Sequence, residues 1–185
     1  FWKDKQKLNR ETVIWAVYDR FVATGRFEAL KCSWKEGQPN KPHIFWDSDV
    51  AKWMESAAYL INERPNARLK KILDKWIDII SKNQEECGYF NSYFCTFKDE
   101  KRFDDRDRHE LYCVGHWIEA AIAHFDATGD KKFLNIVCKM ADYVEKRFLI
   151  DKDTGFKTPG HEEIELALVK LYDCTGEKRY LELSK

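Results

Sequence analysis

The feature that most restricts what this chain can fold into is a helical unit written three times. Met54-Glu55-Ser56-Ala57, Ile118-Glu119-Ala120-Ala121 and Ile164-Glu165-Leu166-Ala167 share an apolar-Glu-x-Ala core. Each core is followed by a turn: Arg64-Pro65-Asn66, Thr128-Gly129-Asp130 or Thr175-Gly176-Glu177. A second helical pattern then begins, in which Leu69, Leu134 and Leu181 hold matching places. A helix-turn-helix unit recurring at intervals on the order of 50 residues predicts stacked α-hairpins, because one amphipathic hairpin cannot bury its apolar face alone. The central copy is the plainest. Leu111, Val114, Ile118, Ala121, Ile122 and Phe125 recur at three- and four-residue steps. The fold class expected is all-α.

The rest of the chain fits around these units. Residues 9–22 read as a first helix, closed by Thr24-Gly25. Residues 26–42, with Trp34, Gly37, Pro39 and Pro42, read as an irregular surface loop. At Phe45-Trp46-Asp47-Ser48-Asp49, either Asp47 or Ser48 suits a cap and Asp49 a charge against the helix dipole. The alternative is that one of these acids projects into a cleft and binds a hydroxyl. Residues 66–82 carry a wide apolar stripe. The longest break, 83–108, has the length of a functional or disordered loop. Its first part, Gly88-Tyr89-Phe90-Asn91-Ser92-Tyr93-Phe94, is too aromatic for disorder, and its second, from Lys98 to Arg108, reads as a solvated charged face. Residues 130–148 complete the central hairpin, and 149–160 form another break.

Composition excludes several classes. Lys+Arg and Asp+Glu balance at 32 each, so no single-signed field draws in nucleic acid or an acidic membrane surface. No apolar run approaches the roughly 18 residues of a membrane span. The six cysteines form no C-x-x-C pair, and Cys113, Cys138 and Cys174 fall in helical patterns; reduced thiols in a cytoplasmic setting are expected. The sequence opens at Phe1, not Met, which leaves a leader open. The last helical pattern stops at Lys185 without a cap, so residues 1–185 are expected to be one part of a longer polypeptide.

The long breaks precede the repeated helices, before Asp47, His109 and His161, and the tight turns lie at the opposite ends. Stacking the hairpins should therefore gather the breaks on one face, where helix N-termini offer donors and positive potential. His109 and His161 each begin a hairpin there, each followed by a glutamate, Glu110 or Glu162. Neutral imidazole both donates and accepts, which suits a hydroxyl-rich ligand; plain capping or packing is the competing reading. His109, Cys113 and His116 sit at i, i+4 and i+7, but three ligands from one straight helix rarely converge on an ion, and a metal there is disfavoured. A glycosidic carboxylate pair could be drawn from Asp49, Glu110 and Glu162, with no separation to test it. No Gly-rich phosphate loop, H-E-x-x-H or Ser elbow is present.

Four blocks closely resemble the β-L-arabinofuranosidase family, glycoside hydrolase family 127. They are Phe45-Trp46-Asp47-Ser48-Asp49-Val50, Gly88-Tyr89-Phe90-Asn91, His109-Glu110-Leu111-Tyr112-Cys113-Val114-Gly115-His116 and Pro159-Gly160-His161-Glu162-Glu163-Ile164-Glu165-Leu166-Ala167. The resemblance implies an (α/α)6 barrel, of which about half the ring is present, followed in the parent by β-sandwich domains. It implies release of terminal β-L-arabinofuranose from plant-derived glycans with retention of configuration. It carries over His109 and His161 as sugar-binding positions, and Asp49 and Tyr89 by motif only. The family's proposed nucleophile, a cysteine thiolate held on zinc, and its acid/base glutamate match no residue here. The fragment alone is thus expected to be inactive, with zinc belonging to the full-length parent. Two other readings stand beside this one: a helical-repeat module binding glycan or protein without catalysis, and a different α/α-barrel enzyme acting on acidic sugars. The latter would want an Arg cluster on the loop face. Open flanks of a half-ring make self-association expected.

Overall fold

The computed structural model describes residues 1–185 and contains helices only. They are α1 (Trp2–Leu8), α2 (Ile14–Ala23), α3 (Arg26–Ala29), α4 (Trp46–Glu63), α5 (Ala67–Asn83), α6 (Ser92–Thr96), α7 (Glu110–Thr128), α8 (Lys132–Glu145), α9 (Ile164–Thr175) and α10 (Lys178–Leu183). No helix is long and apolar enough to cross a membrane.

The three repeated cores lie in α4, α7 and α9, side by side, with α7 in the middle. The return helices α5, α8 and α10 pack behind them as a second layer. Ala57, Ala121 and Ala167 are each 0% exposed, so the small residue of the repeat sits where neighbouring helices press closest. Contacts across the layer fix its direction. Lys52 of α4 donates to the Tyr112 hydroxyl of α7 at 2.7 Å, and Lys170 of α9 donates to Glu119 of α7 at 2.6 Å. The inner helices therefore run parallel, with their N-terminal ends on one face. This two-layer array is that of a partial α/α barrel.

The turns repeat as well. Gly129 (φ 72°) and Gly176 (φ 78°) adopt the left-handed conformation, and each donates its N–H to the carbonyl four residues back, Phe125 or Tyr172, at 2.7 Å. The threonines before them bond back to His124 and Leu171, also at 2.7 Å. Asn66 caps α5 by accepting from the N–H groups of Arg68 and Leu69.

Gly115 has a different task. A Cβ there would lie 2.6 Å from Glu163 Cγ and 3.1 Å from the Ile164 nitrogen, so its absence lets the start of α9 close onto α7. Gly115→Ala is expected to lower stability by about 1–3 kcal/mol through overpacking, measured by urea unfolding.

Several local expectations are corrected. The first helix starts at Trp2 rather than near Asn9, and passes through a π-helical stretch at Asn9–Val13. Residues 26–42 are not only surface loop: α3 and the residue after it drop Phe27 (1% exposed) and Leu30 (0%) into the core, with Phe27 stacked on Trp76 at 4.9 Å. The helix after the central turn continues as a π segment to Asp151, so the following break is shorter. In the charged run, Phe103 is fully buried. Neither Asp47 nor Ser48 caps α4; both lie inside its first turn and are buried.

Candidate functional site

Parallel inner helices bring their first turns together, and a cluster of rings forms there. The His109 and His161 rings lie 4.9 Å apart and nearly perpendicular, at 87°. Phe45, at the start of α4, is 5.8 Å from His109 and 4.2 Å from His43. Tyr112, one turn into α7, touches both imidazoles, at 5.8 Å from His109 and 5.0 Å from His161. His116, one turn further, packs edge-on against Tyr112 at 4.5 Å. The Lys52 ammonium holds the Tyr112 hydroxyl and lies 4.6 Å from its ring centre.

His161 is exposed and His109 half-buried. His109 sits at φ 65°, a left-handed conformation uncommon for a residue with a side chain, directly before α7. Its Nδ1 is buried without a partner in the chain. A buried polar atom without a partner is uncommon and calls for an explanation.

Beneath the rim lie two buried acids. Glu110 is 3% exposed; it accepts from the Tyr89 hydroxyl at 2.6 Å and from the Phe103 N–H. Burial pushes its pKa up from 4.5 to about 7 despite those donors. The folded chain thus keeps a proton that the unfolded chain has released, so stability falls as pH climbs from about 4.5 to about 7. Glu110→Gln should shrink that fall, which for this group is about 3 kcal/mol at most, in unfolding curves taken either side of the window. Asp47 accepts from the Ser92 N–H at 2.9 Å, from the Ser92 hydroxyl and from Trp117 Nε1 at 3.3 Å, tying α4, α6 and α7 together. Burial raises its pKa and these three donors oppose the rise.

Of the four expected site residues, His109 and His161 come together on the rim. Asp49 does not join them: it is paired with Arg26 Nε at 2.8 Å, on a largely apolar groove of about 440 Å³ between α2 and α4. Tyr89 is 3% exposed, behind the rim, its hydroxyl on Glu110 and Arg102 stacked 4.0 Å over its ring. Tyr112, Lys52 and Phe45 have no individual role in the sequence reading, and His116 enters it only as a disfavoured metal ligand. The three-then-four spacing of His109, Tyr112 and His116 was the available signal, since it places them on one stripe.

No three His, Cys, Asp or Glu side chains converge to hold an ion. Cys113 is turned away from His109 and His116, its thiol 3.6 Å from the Ile44 carbonyl and fully buried, which raises its pKa.

Known proteins match this arrangement. Residues 1–185 match the family model described as β-L-arabinofuranosidase, GH127 catalytic domain. A non-reducing end β-L-arabinofuranosidase of Bifidobacterium longum subsp. longum is 42% identical over 147 residues, which is 77% of this chain and 22% of that protein. Among solved structures, a GH127 β-L-arabinofuranosidase from Geobacillus Stearothermophilus T6 superposes with a TM-score of 0.91 at 39% identity, over 100% of this chain and 30% of its own. The GH127 β-arabinofuranosidase BT3674 gives 0.89 at 32% identity, over 100% of this chain and 31% of its own. The chain thus spans less than a third of each of these relatives. On the match along its whole length, and on relatives that share both its helices and its sequence, the chain belongs to the GH127 β-L-arabinofuranosidase catalytic-domain family.

Proposed function

We propose that residues 1–185 form about half the ring of an (α/α)6 β-L-arabinofuranosidase and supply part of the pocket that grips the terminal sugar. The parent enzyme, on this reading, removes terminal β-L-arabinofuranose from plant-type glycans with retention of configuration. The observation that carries the reading is the pair of rim imidazoles, His109 and His161, 4.9 Å apart at the heads of parallel helices. Each imidazole can donate to one sugar hydroxyl and accept from another, and their perpendicular planes favour contacts on two sides of a small ring. Phe45, 37% exposed beside His109, adds an apolar face for sugar C–H groups. Tyr89 serves behind the rim, by holding Glu110 next to His109. Asp49 enters only when a ligand reaches the groove where Arg26 now pairs with it.

The nucleophile and the acid/base are assigned to the parent's remaining length, so the 185-residue chain should bind L-arabinose weakly and hydrolyse nothing. Calorimetric titration with L-arabinose and an aryl β-L-arabinofuranoside assay test the two halves. Hydrolysis by the purified chain, free of contaminating enzyme, would place the chemistry among these residues after all. Absence of any arabinose response would return the chain to a helical scaffold of other use. Tyr59 (53% exposed), Leu166 (53%) and Val169 (37%) leave apolar surface open on the inner helices. Concentration-dependent association of the isolated chain is therefore expected in light scattering.

A further inference from the structure

A two-imidazole pocket needs both rings held in one arrangement, and little in their own backbone holds them. His161 lies ahead of α9, outside any helix, and His109 immediately precedes α7. The direction of each ring is therefore set by what it packs on. Tyr112 is the phenol ring that touches both, His161 at 5.0 Å and His109 at 5.8 Å, and so forms their shared wall.

That wall is tethered at its two ends. Its root sits in the first turn of α7, and its hydroxyl accepts from the Lys52 ammonium of α4 at 2.7 Å. A tyrosine side chain has two torsions, so fixing both root and hydroxyl leaves the ring one position. His116, one turn further along α7, packs edge-on against the same ring at 4.5 Å. The tether is an unusual use of a lysine. A half-buried ammonium ordinarily faces a carboxylate or water, whereas this one donates to a neutral phenol oxygen, its charge 4.6 Å from the ring centre.

We propose that Lys52 and Tyr112 act as one positioning unit of the sugar site, in which the ammonium fixes the phenol and the phenol sets the direction of both imidazoles. Both are positioning residues, with no part in bond cleavage. Without the tether the Tyr112 ring returns to more than one rotamer. The fraction of chains with both imidazoles ready for a ligand then falls, and apparent affinity falls with it. Loss of a partly exposed hydrogen bond of this kind corresponds to about threefold to tenfold in affinity.

The effect on sugar binding rests on the pocket reading; the arrangement of the rings does not, and can be followed without sugar. Proton NMR of the 185-residue chain should show through-space contacts from the Tyr112 ring to the imidazole protons of His109 and His161. Tyr112→Phe keeps the ring and Lys52→Met keeps the aliphatic stem, and each removes one end of the hydrogen bond. Both should weaken those contacts and lower L-arabinose affinity, by calorimetry, about threefold to tenfold. The double variant should lose no more than either single one, because the same bond is broken once. Lys52→Arg still donates and should recover most of the contacts and of the affinity. A link that merely joined α4 to α7 would lower the urea midpoint of these variants and leave ring contacts and affinity at the wild-type level. That outcome overturns the proposal, as do losses that add in the double variant. Weakened contacts with undiminished affinity overturn the pair's role in the sugar site. Contacts that weaken as described, in chains of which none, wild type included, binds arabinose, uphold the positioning unit and count against the pocket alone.

Discussion

His109→Ala and His161→Ala each remove the L-arabinose response of the chain, a loss of about tenfold or more in affinity, as expected when a hydrogen-bonding partner of a small polar ligand is deleted. The two rings are the polar groups that the fold brings to the heads of α7 and α9, and they touch. His161 is exposed, and its one hydrogen bond, from the Glu163 N–H, is to its backbone carbonyl, so replacing its side chain should leave stability nearly unchanged. His109 needs a control. At φ 65°, alanine is strained as histidine is, whereas glycine is not. His109→Gly should therefore lose binding while matching or exceeding the wild type in thermal unfolding. Retained affinity in both the alanine and the glycine variants would remove the imidazole from the pocket.

Trp117→Ala should lower stability by about 3–5 kcal/mol, the range for deleting a fully buried indole. Trp117 is 0% exposed, and it packs against Phe90 at 6.2 Å and Phe133 at 6.0 Å, joining α7 to the loop before α6 and to α8. Its Nε1 donates to the buried Asp47 carboxylate at 3.3 Å, so truncation also withdraws a donor from a buried acid. Trp117→Phe separates the two effects. It keeps most of the volume and removes the donor, and should cost about 1–3 kcal/mol, seen as a lower urea midpoint with an unchanged slope. Because Asp47 ties α6 to the first turn of α4, both variants should also loosen the rim and weaken arabinose binding. A Trp117→Ala chain as stable as the wild type would mean that the indole is not a joint of this core.

The hairpins were legible because their causes are local. Apolar spacing within α7 and the Thr-Gly turns after α7 and α9 act over a few residues, and the left-handed Gly129 and Gly176 sit where the turn chemistry placed them. The ends of elements were less legible. Trp2–Leu8 carries no buried residue, so no apolar stripe announced α1. Phe27 and Leu30 lie in a stretch whose prolines and glycine read as loop, yet both are buried, Phe27 against Trp53 and Trp76, which arrive from α4 and α5. Asp47 read as a cap because its neighbours in sequence suggested one; its partners, Ser92 and Trp117, are far along the chain.

By itself, the amino-acid sequence determined the all-helical class, the three hairpins and the family. It also placed His109 and His161 after long breaks, ahead of two of the repeated helices; the structure has His109 directly before α7 and His161 three residues before α9. Periodicity and turn chemistry are short-range, and a recurring motif keeps its meaning wherever it is read. Only the tertiary structure decided that these two imidazoles meet, that Tyr89 lies behind the rim, that Arg26 engages Asp49, and that Glu163 reaches His116 through the space at Gly115. Those pairings join different helices, and which side chains face each other across a helix contact depends on how closely and in what register the helices pack.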